Sequence, residues 1–250
     1  MQLDKYRSGM LFFLSLLITF TLAAQRPVII LKLDDFYVKN YVISGQQALD
    51  TLANRNVKAG LGFIAERSDT TLASFKPYLQ RSTKAGEPLF EIWHHGLDHK
   101  NPEFSGTGYD YQKQHFDSAN QLMKQYIGVQ MHSFGAPYNA SDSITNRVIS
   151  EARNYKVSMF NKIKPAAKDG FINLTNRINM ETTTGKPDYD YFVANFQKSR
   201  SLYNDYIVLQ AHPPHFKGDA IVQFAKIIDF LIAEGFSFET PYSWYLNSKK

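Results

Sequence analysis

Seven short runs rich in apolar, β-branched or aromatic residues recur along the chain, and amphipathic stretches separate them. "PVIILKL", "VKAGLGFIA", "PLFEIW", "MHSFGAPY", "KVSMFN", "DYIVLQAH" and "FSFETP" each fit an extended segment. Between the first two, "SGQQALDTLANRN" carries Ala48, Leu49 and Leu52 at helical spacing. "TTLASFKPYLQRSTKAG" also reads as helical, with Pro77 marking a break and Gly86 a stop. "YDYQKQHFDSANQLMKQYIG" has a stripe of Phe116, Ala119, Leu122, Met123 and Tyr126 that ends at Gly128. "SDSITNRVISEARNY" opens on residues suited to a helix cap. "DYDYFVANFQKSRSLY" and "AIVQFAKIIDFLIAEG" complete the predicted helices, while Lys162 to Pro187 is polar and shows no clear period. Strands that alternate with helices predict an α/β fold with a largely parallel sheet. About seven such units suggest a distorted, incomplete (β/α) barrel in a single domain over residues 25–250, with a doubly wound open sheet as the alternative.

The chain has 250 residues, of which 44% are hydrophobic and 20% charged, an ordinary globular balance. The formal charge of +5 is spread without a basic block or aromatic–basic interleaving, which argues for a solvated surface and against nucleic-acid binding. Residues 1–24 read as a signal peptide: Lys5 and Arg7 precede the apolar "MLFFLSLLITFTL", and small residues point to cleavage near Ala23 or Ala24. That run is short for a bilayer core of about 30 Å, so no stable membrane anchor is expected after cleavage. Export to the periplasm or the exterior follows. The absence of cysteine excludes disulfides and thiol nucleophiles.

Functional groups in α/β folds gather beyond the C-terminal ends of parallel strands. "VIILKL" runs into Asp34 and Asp35, "LFEIW" into His94, His95 and His99, and "YIVLQA" into His212 and His215. Five of the seven histidines therefore follow three strand exits, together with a pair of like charges that resist joint burial. His95 and His99 are four apart, the spacing that sets two imidazoles on one side of a helical turn. Two imidazoles and one carboxylate form a ligand set suited to catalytic zinc, with a position left open to water. One aspartate would serve the metal while the other stays free as a base. Adjacent strand residues point in different directions, so both can serve one site only where the strand end twists.

"LKLDDF", "HGLDH", "FGAPYN" and "VLQAH", in this order, resemble the motifs of the polysaccharide deacetylases of carbohydrate esterase family four, relatives of the nodulation-type chitooligosaccharide deacetylases. The resemblance runs through most of the chain beyond residue 25. It implies a distorted (β/α) barrel and a metal-dependent hydrolase that removes N- or O-linked acetyl groups from a glycan. It further implies Asp34 as catalytic base, Asp35, His95 and His99 as metal ligands, the Tyr138 backbone N–H as oxyanion donor, and His212 as general acid. Three departures stand out. Gly135 occupies the place of an arginine that contacts the base, Gly96 that of a hydroxyl residue, and no Asp-Trp motif is visible to orient His212. Glu181 is a candidate substitute for that missing aspartate. These departures motivate two alternatives, a catalytically silent glycan-binding relative and a deacylase of a non-carbohydrate amide. His94 either touches substrate or fills the strand end, and His215 is a further candidate to line the site. Trp93 and Trp244 read as packing, His115 and His132 as surface residues.

Overall fold

The computed structural model describes residues 26–37, 42–68 and 75–249; the signal-peptide reading of residues 1–24 lies outside them. The first strand, β1 (Val28–Phe36), is followed by α1 (Val42–Asn54), β2 (Ala59–Phe63), the short α2 (Lys76–Leu79) and β3 (Phe90–His94). Next come α3 (Tyr109–Ile127), β4 (Ser133–Phe134), α4 (Ser143–Glu151) and β5 (Val157–Met159). The polar stretch holds four short strands, β6 (Ile172–Leu174), β7 (Arg177–Asn179), β8 (Glu181–Thr183) and β9 (Lys186–Pro187). The chain ends with α5 (Tyr189–Ser199), β10 (Tyr206–Ala211), α6 (Ala220–Ala233), β11 (Phe238–Glu239) and α7 (Pro241–Asn247). Among the described residues, no helix is long and apolar enough to cross a membrane.

Eight strands form one parallel path in the order β6-β5-β4-β3-β2-β1-β10-β7, with β11 also paired to β1. The two ends of that path, β6 and β7, are consecutive in sequence and separated only by Thr175 and Asn176. Laid flat at about 4.8 Å per strand, such a path would part its edges by roughly 33 Å. A two-residue link reaches only about 10 Å. The sheet must therefore curl almost into a closed barrel. β6 and β7 run in the same direction end to end, one paired to β5 and the other to β10, so the barrel is distorted at this seam and, among the described residues, is joined there only by this short segment.

Curling splits each strand into two faces. On β1, Ile29, Leu31 and Leu33 face the large outer core beneath the helices, whereas Ile30 joins Trp93, Val157, Met159, Leu174 and Val208 inside the barrel. Trp93 fills much of that interior. It leaves so little room that a side chain begun at Gly62 would meet its ring at 2.3 Å, and one at Gly135 at 2.9 Å. Trp244 packs at the other margin, its ring 4.6 Å from that of Tyr206.

The helix expected over 70–86 is the main local correction. Residues 70–74 of that stretch lie outside the described ones, and beyond them the helix lasts only from Lys76 to Leu79. Pro77 sits at its start, where a missing N–H costs nothing, and does not break it. The chain then folds back in a turn, with Ser82 bridged to Pro88, so Gly86 serves that turn and not a helix end. Histidines 115 and 132 are half-buried rather than on the surface; the His132 ring stacks on Tyr242 at 4.2 Å.

Candidate active site

The β1–β10 register pairs Lys32 with Gln210 and Leu33 with Ala211, so the next residues, Asp34 and His212, leave the barrel side by side. Across β2 the pairing of Phe63 with His94 aligns the exit of β3 in the same way. One irregularity makes the site. The β1–β2 register shifts between Leu33 and Phe36, and Asp35 adopts a left-handed conformation with φ 66°. The bulge re-aims the second carboxylate, so that Asp34 and Asp35 both face the barrel mouth.

Asp35 Oδ1 lies 3.1 Å from His95 Nε2 and 3.1 Å from His99 Nε2. The three ligand atoms sit within 4.8 Å of one another. His95 Nδ1–H donates to the Gly135 carbonyl at 2.7 Å, which leaves Nε2 with its lone pair in the neutral ring. A lone pair and a carboxylate oxygen at 3.1 Å are two acceptors facing each other, an arrangement that a cation between them satisfies. These residues thus fit a divalent metal. The second Asp35 oxygen lies 3.0 Å from His215 Nε2. Burial opposes ionisation of Asp35, but the imidazoles of His215, His95 and His99 around it hold its carboxyl far below the usual range.

His95 and His99 do not converge through a helical turn, because residues 95–100 form an irregular loop. Gly96 at φ 85° and His99 at φ 58° bend it. Glu103 ties it down, accepting from Leu97 N–H at 2.6 Å and His99 N–H at 3.1 Å. A side chain at position 96 would strike Glu103 Oε2 at 2.6 Å as well as adopt a positive φ, so only glycine fits there. Burial pushes the Glu103 carboxyl up to about 7. His94 faces the other way. It stacks on Phe116 at 4.6 Å, donates from Nε2 to the Phe116 carbonyl at 3.2 Å and accepts from Gly96 N–H at 3.1 Å. Burial lowers its pKa to about 3, so it is a neutral core histidine turned away from the mouth.

Asp34 is buried beside this trio. Lys32 Nζ and Gln210 Nε2 both donate to its Oδ2, each at 2.5 Å, while its buried Oδ1 has no hydrogen-bond partner. Burial pushes the Asp34 carboxyl up, but Lys32, His95 and His212 outweigh this and keep it below its ordinary value. His212 Nε2 stands 3.9 Å from Asp34 Oδ2. Its other side is held by Glu181 on β8: Nδ1–H donates to Oε2 at 2.6 Å, and the His212 backbone N–H donates to Oε1 at 2.8 Å. Burial pulls the His212 pKa down; Glu181 and Asp34 more than reverse this and raise it. Tyr138, left-handed at φ 57°, borders the mouth with its ring 4.6 Å from that of His99.

Sequence reading missed Lys32 and Gln210. Each had a signal, a polar residue inside an otherwise apolar strand run, two positions before Asp34 and His212 respectively.

The protein is thus a parallel α/β barrel whose strand exits gather Asp34, Asp35, His95, His99, His212 and His215 at one mouth. The polysaccharide deacetylase family profile matches residues 22–159, more than half of the chain, and the chain belongs to that family. Its fold is similar to the Xyl-CE4 domain of a multidomain xylanase from the hindgut metagenome of Trinervitermes trinervoides, at TM-score 0.63 and 17% identity over 90% of this chain and 92% of that one. A family 4 acetyl xylan esterase from Clostridium thermocellum, solved with a cobalt ion, gives 0.63 at 16% identity over 88% and 90%. A CE4 family pseudoenzyme from Bacillus anthracis gives 0.62 at 11% identity over 88% and 66%. No curated protein sequence matches the chain.

Proposed function

We propose that the protein is a metal-dependent hydrolase that removes N- or O-linked acetyl groups from a glycan. The observation that carries this reading is the arrangement around Asp35, His95 and His99. Asp34 is buried beside them with its Oδ1 unpartnered, and His212, backed by Glu181, stands 3.9 Å from its Oδ2. A divalent ion on the three ligands, zinc by the chemistry of the donors, would supply Lewis acidity to the acetyl carbonyl and acidify water. Asp34 Oδ1 takes the proton of the attacking water as its oxygen bonds to the acetyl carbon. The Tyr138 backbone N–H supports the negative charge that develops on the carbonyl oxygen. His212 gives its Nε2 proton to the leaving amine or alcohol as the carbon–nitrogen or carbon–oxygen bond breaks, releasing acetate. The N-terminal reading adds export, which suits a substrate outside the cytoplasm.

The test is acetate release from a panel of acetylated glycans by protein stripped of metal and reloaded with single divalent ions. Asp34→Asn is expected to abolish turnover with metal stoichiometry unchanged, and Asp35→Asn to lower metal affinity itself. Equal metal loss in both variants means the two aspartates are exchanged in this reading. A loaded parent that binds glycan yet releases no acetate is instead a silent relative.

A further inference from the structure

Lys32 is a buried group that this mechanism does not use. It lies on β1 in the barrel interior with no solvent exposure, where a lone ammonium is strongly disfavoured. Its Nζ donates to Asp34 Oδ2 at 2.5 Å and stands 4.8 Å from the Trp93 ring centroid. Gln210, its register partner on β10, donates to the same oxygen, also at 2.5 Å. A carboxylate turns broadly about its last torsion, and two donors on one oxygen, one of them charged, fix that rotation. Position 135, where the resemblance expects an arginine, is pressed against the same lysine. A side chain begun there would come within 3.2 Å of Lys32 Cε and 2.9 Å of Trp93. A side chain at position 135 and the Lys32 side chain compete for the same space, and here the cation hydrogen-bonded to Asp34 comes from β1, with Arg177 a further positive charge nearby.

We propose that Lys32 is a positioning residue for deacetylation: with Gln210 it clamps Asp34 Oδ2, so that Oδ1 alone is presented to the reacting water. This rests on Asp34 being the base. A lysine that merely filled the barrel would need neither the shared oxygen nor the empty position at Gly135.

Metal-loaded Lys32→Met and Lys32→Arg, compared with the parent on a glycan that the parent deacetylates, test the clamp. Lys32→Met is expected to lose about 100-fold in kcat, the scale set by misplacing a reacting group, with KM and bound metal nearly unchanged. Lys32→Arg should recover a large part of that loss. A folded Lys32→Met with parental kcat overturns the proposal. If Lys32→Met does not fold, Gln210→Met carries the same test, a fall in kcat without a change in KM, and parental kcat there overturns it. A readout without substrate is the melting temperature. Lys32→Met should lower Tm more in the parent than in the Asp34→Asn background, and equal losses count against the clamp. A parent that releases no acetate fails the deacetylase reading itself, and the Tm comparison then still decides whether Lys32 holds Asp34.

Discussion

A histidine that must deliver a proton near neutral pH needs its second nitrogen bound to a group that favours the charged ring. Glu181 does this for His212 at 2.6 Å, and Asp34 and Asp35 add negative charge from the metal side, with His215 the neighbouring ring at 6.4 Å. The sign of the effect follows. A raised pKa keeps His212 protonated above its ordinary value, so the alkaline limb of activity lies above about pH 6.5. Glu181→Gln removes the charge that raises it, and that limb should move to lower pH while kcat falls roughly 10–100-fold. The pH–rate profile checks this. An unmoved limb would mean that Glu181 only props up the backbone through its bond to the His212 N–H.

At the scale of elements, Trp93 and the glycines opposite it decide whether the strands can close around one ring. A methyl at Gly62 would lie 2.3 Å and 2.4 Å from two ring carbons of a side chain that has no exposure. Overpacking of this kind costs about 1–3 kcal/mol. For a chain of this size that lowers Tm by several degrees, at roughly 2–4 °C per kcal/mol. Thermal unfolding of Gly62→Ala should show the drop; a parental Tm would mean that the ring has room to shift. This packing also explains which elements the sequence revealed. β1, β3 and β10 are buried on both faces and so read as largely apolar runs. β6 and β7 are three residues each and border the seam, where Arg177 and Asn179 alternate with buried Ile178, so no run marks them. The hairpin β8–β9 that delivers Glu181 is polar because Thr182, Thr183 and Lys186 are exposed and pack into no core. The meeting of Asp34, Asp35, His95, His99 and His212 could be read from strand exits, because a parallel barrel sends every exit to one end. The shared hold of Lys32 and Gln210 on Asp34 was harder to read, since it depends on the β1–β10 register, which pairs segments far apart in the chain.

For the whole molecule, the question is whether a metal held by Asp35, His95 and His99 would build the barrel or only occupy it. The outer core joins residues from β1 and β2 to helices α1, α3, α4, α5 and α6 without drawing on the three ligands. The ligands hang on loops held by other bonds: His95 on the Gly135 carbonyl, the His99 backbone on Glu103, and Asp35 on a bulge that His215 braces. A site preformed in this way should survive loss of its ion, unlike small metal domains that unfold without one. The chelated protein is therefore expected to keep its far-UV circular dichroism and a cooperative melt. Adding zinc at about 100 times its dissociation constant should then stabilise it by about 2.7 kcal/mol, a rise in Tm of roughly 5–10 °C. Asp35→Asn should lose most of that rise, while Asp34→Asn keeps it, because only the first touches both histidine nitrogens at 3.1 Å. A chelated protein without a cooperative transition would show that the barrel depends on its ion. A Tm indifferent to every divalent ion would remove the metal site, and with it the hydrolytic reading.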